Sequence, residues 1–226
     1  MPASPHARSP VSRRLNDQSE HDDLARSLLG DGEAFGRLVA RYQIQVARRM
    51  RAFVRQPRTI EELVQEVFVE AYYSLRSYRG DGEFAAWLNR IATRVGYRYW
   101  KRRDRSREIV HGADWWRAVP EGRVEGLDPS RAAELVRILL DQLPPRDRLV
   151  LLLLHVEGRS IAEAARLAGW SQTMIRVQAF RARAKLRLLL AKADMHCVED
   201  VADGENSRTD NLLATDLPDR RELNRE

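Results

Sequence analysis

Residues 160–176 read SIAEAARLAGWSQTMIR, and this stretch decides the fold. Ser160 and Glu163 have the spacing of a capping box, in which the Ser160 hydroxyl accepts from the Glu163 backbone N–H and the carboxylate reaches back to the Ser160 N–H. A helix therefore starts at Ser160. Gly169 supplies the left-handed residue for a sharp turn, and Ser171 can cap a second helix of about 18 residues. Ala165, Gly169 and Ile175 give a small contact residue, a turn glycine and an apolar anchor, which is the pattern of a helix-turn-helix. An inert antiparallel helix pair can use the same turn, so the composition that follows has to decide.

Residues 171–192 carry Arg176, Arg181, Arg183, Lys185, Arg187 and Lys192 and not one acid. A solvated helix face would mix both signs; a helix lying on a polyanion would not. Ser171, Gln172, Thr173, Arg176 and Gln178 sit where they can meet base edges in a major groove, and Arg181, Arg183 and Lys185 suit phosphates. Ile175, Ala179 and Leu186 read as core.

Upstream, apolar residues recur at three and four, and no alternating run is bounded by hairpin turns, so the chain reads as all-α. Asp31 caps a helix whose stripe is Phe35, Leu38, Val39, Tyr42, Val46, Met50 and Phe53, with Pro57 as its stop. A second helix over residues 59–75 turns Val64, Val67, Phe68, Ala71 and Leu75 inward. After the Gly80, Asp81, Gly82 break, a third sets Phe84, Leu88, Ile91 and Val95 on one face, with Trp87 flanking. Residues 108–127 lose periodicity and hold Gly112, Pro120, Gly122 and Gly126, so they read as a flexible linker reaching roughly 66 to 72 Å if fully stretched. Asp128 and Pro129 then open a second module with Leu135, Leu139 and Leu143 inward. The expected organisation is a disordered leader at 1–23, a helical domain at 24–107, the linker, a helix-turn-helix domain at 128–192 and an acidic, disordered tail at 193–226.

Composition narrows the function. The 226 residues are 43% hydrophobic, and the longest apolar run, residues 149–154, is far too short to cross a membrane. The N-terminus lacks an apolar signal core, and Cys197 is the lone cysteine, so a cytoplasmic address without a disulfide framework is expected. His155, Asp147 and Ser160 are isolated from one another in sequence and no Gly-rich phosphate loop is present, so no catalytic residue, cofactor or metal site is expected. The formal charge is +6, but residues 193–226 hold ten acids against four bases, which leaves the body, residues 1–192, at +12. Deleting the tail would test whether it competes with DNA for that body.

Within the body the charge is segregated again. Arg90, Arg94 and Arg98 recur every four residues and continue into Lys101 and Arg102, with Tyr97, Tyr99 and Trp100 interleaved. Tyr99 continues the core stripe; Tyr97 and Trp100 fit either a core or a surface that stacks on unpaired bases while cations neutralise phosphates. On the preceding helix Glu62, Glu66 and Glu70 form an acidic stripe beside Gln65 and Val69, read as facing away from the buried residues and suited to a basic protein partner.

Several separated stretches together resemble one family. They are Asp31-Gly32-Glu33-Ala34-Phe35 with Tyr42; Glu61-Glu62-Leu63-Val64-Gln65-Glu66-Val67-Phe68; Phe84, Trp87-Leu88 and Ile91-Ala92; Leu143-Pro144-Pro145-Arg146; Glu157-Gly158; and Gly169, Ser171 and Arg181-Ala182-Arg183. In this order they resemble the extracytoplasmic-function sigma factors of the bacterial sigma-70 family, across residues 24–190. The resemblance implies that the first domain recognises and opens the −10 promoter element, with Arg90, Arg94, Tyr97, Arg98, Trp100, Lys101 and Arg102 as contact candidates. It implies that the second binds the −35 element. It further implies core RNA polymerase as partner, its β flap and its β′ clamp helices, the latter docked on Glu62, Leu63, Gln65, Glu66 and Val69, and an anti-sigma protein as inhibitor. Arg94 and Arg98 stand where the family commonly has Asn and Asp, and Ala168, Met174 and Gln178 depart from its usual Leu, Thr and Arg. The rival reading is a free-standing helix-turn-helix regulator that binds duplex without polymerase.

Overall fold

The computed structural model describes residues 10–80, 82–107 and 128–213, with side chains over 18–80, 82–104 and 128–192. Every regular element among them is helical. By packing they fall into two compact units: α1 to α4 together with Gly158–Ile175, and α5, α6 and the rest of the chain from Arg176.

In the first unit α1 spans Pro10–Leu28. The leader expected to lack structure through residue 23 is thus helical from Pro10. Polar contacts dock it: Tyr42 Oη donates to Glu20 Oε2 at 2.5 Å, Arg37 Nε to Asp23 Oδ1 at 2.7 Å, and Arg41 Nη2 to Ser19 Oγ at 2.8 Å. Asp23, Leu24 and Ser27 are buried. A segment held mainly by polar groups carries no apolar stripe, which is why periodicity does not reveal it.

Helix α2 spans Gly32–Met50 and is capped by Asp31, whose Oδ1 accepts from the N–H of Glu33 at 2.9 Å and of Ala34 at 3.0 Å. It ends at Met50, short of Pro57. That proline instead opens α3, Pro57–Ser74, where its missing N–H costs nothing. A single 3₁₀ turn, Leu75–Ser77, precedes α4, Phe84–Arg107. Leu38, Met50, Val67, Phe84, Leu88, Ile91 and Val95 fill the core, and Trp87, expected at its flank, is buried within it. Gly96 is required by a close approach, because a Cβ there would lie 2.4 Å from the ring of Phe53.

In the second unit α5, Pro129–Asp141, starts at Asp128, whose Oδ1 accepts from Ser130 N at 2.9 Å and Arg131 N at 3.1 Å. Helix α6, Pro145–Leu151, begins on Pro145 and widens into a π turn, Leu152–Val156, with Glu157 N donating to Leu152 O at 2.9 Å. Leu140, Leu143, Leu151 and Ala182 cluster here, with Leu186 and Leu189 packed against them.

Helix α7, Ile161–Ala168, carries the expected capping box, with Ser160 N donating to Glu163 Oε2 at 2.9 Å and Glu163 N to Ser160 Oγ at 3.2 Å. Gly169 turns the chain at φ +71°. Helix α8 then spans Gln172–Leu213. It runs on into the tail expected to be disordered, since an established helix gains one hydrogen bond for each further residue ordered. Residues 214–226, the linker 108–127 and the side chains of His196 and Cys197 lie outside the described residues.

Candidate nucleic-acid and partner interfaces

The arginine row of α4 is built by a four-residue repeat, which keeps Arg90, Arg94, Arg98 and Arg102 near one face. The structure brings the last three against α3, where Glu66 and Glu70 sit in the same repeat. Arg102 Nη2 lies 3.1 Å from Glu66 Oε2, Arg98 Nη2 is 3.2 Å from Glu66 Oε1, Arg98 also pairs with Glu70, and Arg94 Nη2 is 3.9 Å from Glu70 Oε1. Each carboxylate thus stands between two guanidiniums. The acidic stripe does not face away from the basic one over this length: its last two members close a ladder with it. Glu62 remains outside, paired with Arg58 at 3.3 Å on the exposed side of α3.

The ladder sets the electrostatics of both helices. Burial pushes the Glu66 carboxyl up, but hydrogen bonds from Arg102 and Arg98, with their charges, outweigh it and hold the group below its ordinary value. The hydrogen bond to Glu70 holds Arg98 above its own, against the opposing effect of burial. With side chains still 26 to 55% exposed across these pairs, each contact is weakened by solvent.

Two aromatic candidates on α4 separate. Trp100 is 3% exposed; its Nε1–H donates to Phe53 O at 2.8 Å and its ring lies 4.6 Å from that of Phe53. It is a core residue, not one offered to a base, because only burial satisfies both its ring and its N–H. Tyr97 is half-buried, edge-on to Trp170 at 5.7 Å, with Lys101 Nζ 5.9 Å from its ring. Arg90 and Lys101 are exposed.

The partner-binding candidates on α3 also divide. Leu63 is 3% exposed and belongs to the core, whereas Val64, expected inward, is half-buried at a surface groove. The rest of the expected stripe, Val67, Phe68, Ala71 and Leu75, is buried as read from the sequence. That groove, about 550 Å³, runs between α2 and α3 and is lined by Val39, Ile44, Ala47, Val64, Gln65 and Val69, among others. Ile44 is 60% and Val69 55% exposed, so apolar surface faces outward there. The α2 residues were missed; Ile44 stands off the buried stripe of its helix, and that offset is the signal that marks it.

On α8 the first turn is built as expected, with Met174 N donating to Ser171 Oγ at 3.1 Å. Ser171 is therefore occupied as a cap. Gln172, Thr173, Arg176, Arg181 and Arg183 are exposed, while Ile175, Ala179 and Ala182 are buried on the opposite side. Gln178 and Lys185 are not open cations or donors: Gln178 Nε2 donates to Asp147 Oδ1 and Lys185 Nζ to Asp147 Oδ2, both at 2.6 Å. Asp147 is 1% exposed, so Lys185 neutralises a buried carboxylate of α6 and Gln178 satisfies its other oxygen. Phe180, 71% exposed and off the core stripe, was missed. At 100° per residue it shares a face with Gln172, Thr173, Arg176 and Arg183. Capping at Glu163, whose carboxyl is held below its ordinary value by the Ser160 hydroxyl and N–H, orders the entry to this motif.

Among the described residues no group of three or more His, Cys, Asp or Glu is placed to hold a metal ion, and no helix is long and apolar enough to cross a membrane.

Comparison with known proteins places these elements. Residues 38–106 match the model of sigma-70 region 2, and residues 124–186 match that of sigma-70 region 4. The RNA polymerase sigma factor CnrH of Cupriavidus metallidurans is 33% identical over 178 residues, covering 74% of this chain and 91% of that protein. The ECF RNA polymerase sigma-E factor of Haemophilus influenzae is 30% identical over 182 residues, covering 76% and 94%. A solved structure of CnrH in complex with the cytosolic domain of CnrY aligns at 28% identity over 77% of this chain and 98% of that one, with a TM-score of 0.46. Matches to both regions in order, with relatives spanned over nearly their whole length, establish that the chain belongs to the extracytoplasmic-function group of the sigma-70 family of RNA polymerase sigma factors.

Proposed function

We propose that this chain binds core RNA polymerase and directs it to promoters, reading the −35 element through α8 and holding the −10 element and its melted strand along α4. The observation that carries the reading is the pairing of two family regions, each with its own exposed cationic helix: Arg90, Arg94 and Lys101 on α4, and Arg176, Arg181 and Arg183 on α8. On α8, Gln172, Thr173 and Arg176 read base edges, Phe180 adds an apolar contact of the kind that meets a thymine methyl, and Arg183 and Arg181 take phosphates. Ser171, Gln178 and Lys185 support that surface from behind. On α4, Arg90, Arg94, Arg98, Lys101 and Arg102 hold the backbone of the opened strand, with Tyr97 at their edge.

The α2–α3 groove seats the β′ clamp helices: Ile44, Val64 and Val69 supply the apolar contact, Gln65 and Glu61 the polar rim, with Glu62 on the exposed side of α3 beside it. The β flap meets the second module. Polymerase is needed on energetic grounds, because opening about ten base-pair steps at ~1.4 kcal/mol each costs on the order of 14 kcal/mol, more than a half-neutralised arginine row supplies. The chain itself makes or breaks no covalent bond and acts in the cytoplasm. Membership of the two family regions makes an anti-sigma protein the inhibitor proposed for this chain.

Run-off transcription from a genomic library with core polymerase, with and without the chain, tests the proposal. New start sites that share a −35 and −10 pair are expected. Sequence-specific duplex binding by the purified chain with no effect on polymerase would favour a free-standing regulator instead.

A further inference from the structure

The four-residue repeats of α3 and α4 meet in antiparallel register, giving the alternating order Arg102, Glu66, Arg98, Glu70, Arg94. Three cations and two carboxylates leave one net positive charge where the α4 sequence alone presents three. A carboxylate and a phosphate compete for the same guanidinium fork, since both offer two oxygens to parallel N–H donors. The pairs are half-exposed, so they are weak enough to exchange for a better anion rather than locked as a dry pair would be.

We propose that Glu66 and Glu70 are specificity-determining residues that stand in for nucleic-acid phosphates, so that α4 accepts a strand only when its backbone displaces both carboxylates together. This rests on the reading of α4 as the strand-holding helix and adds to it a threshold. A stray polyanion meets a surface with its guanidiniums already engaged. A strand held in place by polymerase and by base contacts presents consecutive phosphates along the row, whose guanidiniums repeat about every 6 Å along the helix axis. The carboxylates it displaces gain water in return.

The test uses the full chain and a labelled single strand of mixed sequence. Glu66→Gln with Glu70→Gln should tighten binding by about fivefold or more and steepen the slope of log affinity against log salt by about 1.4, the release expected for two additional phosphates at roughly 0.7 each. Asp22→Asn with Glu33→Gln removes the same charge from exposed positions on α1 and α2 and should leave the slope unchanged. Glu66→Asp with Glu70→Asp keeps the charge, shortens the reach, and should move the slope toward that of the Gln pair; thermal melting confirms that each variant is folded. Equal shifts from the Gln pair and the α1–α2 control, or no shift from the Gln pair, would overturn the proposal. Run-off transcription with the unmodified chain separates the two claims: if it directs initiation and the slopes do not move, only the ladder's role is lost, whereas if it directs none, the functional reading itself fails.

Discussion

The cationic helices α4 and α8 solve the same problem differently. On α4 the arginines that follow a four-residue repeat are met by carboxylates from a neighbouring helix with the same repeat. On α8, among the described residues, the carboxylate of Asp147 takes Gln178 and Lys185 at the rear, and Arg176, Arg181 and Arg183 pair with no acid. A duplex reader can leave its cations open because groove shape and base edges provide the selectivity. A single-strand holder, the role proposed for α4, has less geometry to choose by, and an internal counter-anion would raise the bar for what it accepts.

The contrast can be broken most sharply at Trp100. If it is core, Trp100→Ala costs about 3 to 5 kcal/mol in urea unfolding of the full chain. A base-stacking Trp100 would instead leave stability unmoved and weaken strand binding. Next in size, Ile44→Glu should abolish association with core polymerase in a pull-down, at least tenfold by titration, while free-chain binding to single strands is unchanged; equal losses in both would merge two surfaces held distinct here. On α8, Arg176→Ala should cost about 1 to 3 kcal/mol in promoter binding and relax the base preference at one −35 position, read by competition with single-base variants. Lys185→Ala should act chiefly on the folding of its module, by leaving the buried Asp147 charge without its counter-ion.

Smaller still, Ser160→Ala removes the hydroxyl that caps α7 and should cost about 1 kcal/mol in thermal unfolding. The smallest effect belongs to the ladder and appears with pH. Glu66 is depressed in the folded chain, so its share of stability is present above the ordinary carboxylate value of 4.5 and is lost as pH falls through the lower folded value. Exposure limits that share to a fraction of a kcal/mol. Carbon-detected NMR titration should show Glu66 titrating below the ordinary glutamate value, and Arg98→Ala should bring it back up.

Local chemistry was legible in sequence wherever one short stretch suffices. Asp31, Asp128 and Ser160 cap where spacing says they must, Gly169 is left-handed, and the stripes of α2 and α4 fall on the core except for Val39, which is half-buried at the α2–α3 groove. The two family regions were legible for the same reason, as motifs kept in order. Features that need two elements to meet were not. The ladder depends on the register between α3 and α4, which no single-helix pattern contains, and so Glu66 and Glu70 read as a solvent-facing partner surface. Leu63 and Val64 exchanged roles because both apolar side chains lie at the start of the stripe, where a helical face of moderate width accepts either one. Gln178 and Lys185 looked available until Asp147, more than thirty positions away, was seen to claim them. Trp100 lay in a basic run whose company argued for the surface, while its hydrogen bond to Phe53 O spans 47 positions.

The Phe53 ring on Gly96 has a mechanical consequence. With an aromatic plate resting where the helix has no side chain, and the indole of Trp100 bolted to the same residue's carbonyl one turn further on, α4 is keyed at two successive notches against the segment after α2. It cannot slide along its axis without driving a Cβ into that plate. If α4 holds the opened strand as proposed, its guanidiniums change hands on a stationary rod, and a substitution as small as Gly96→Ala would spoil promoter opening by shifting the rod rather than by touching the DNA.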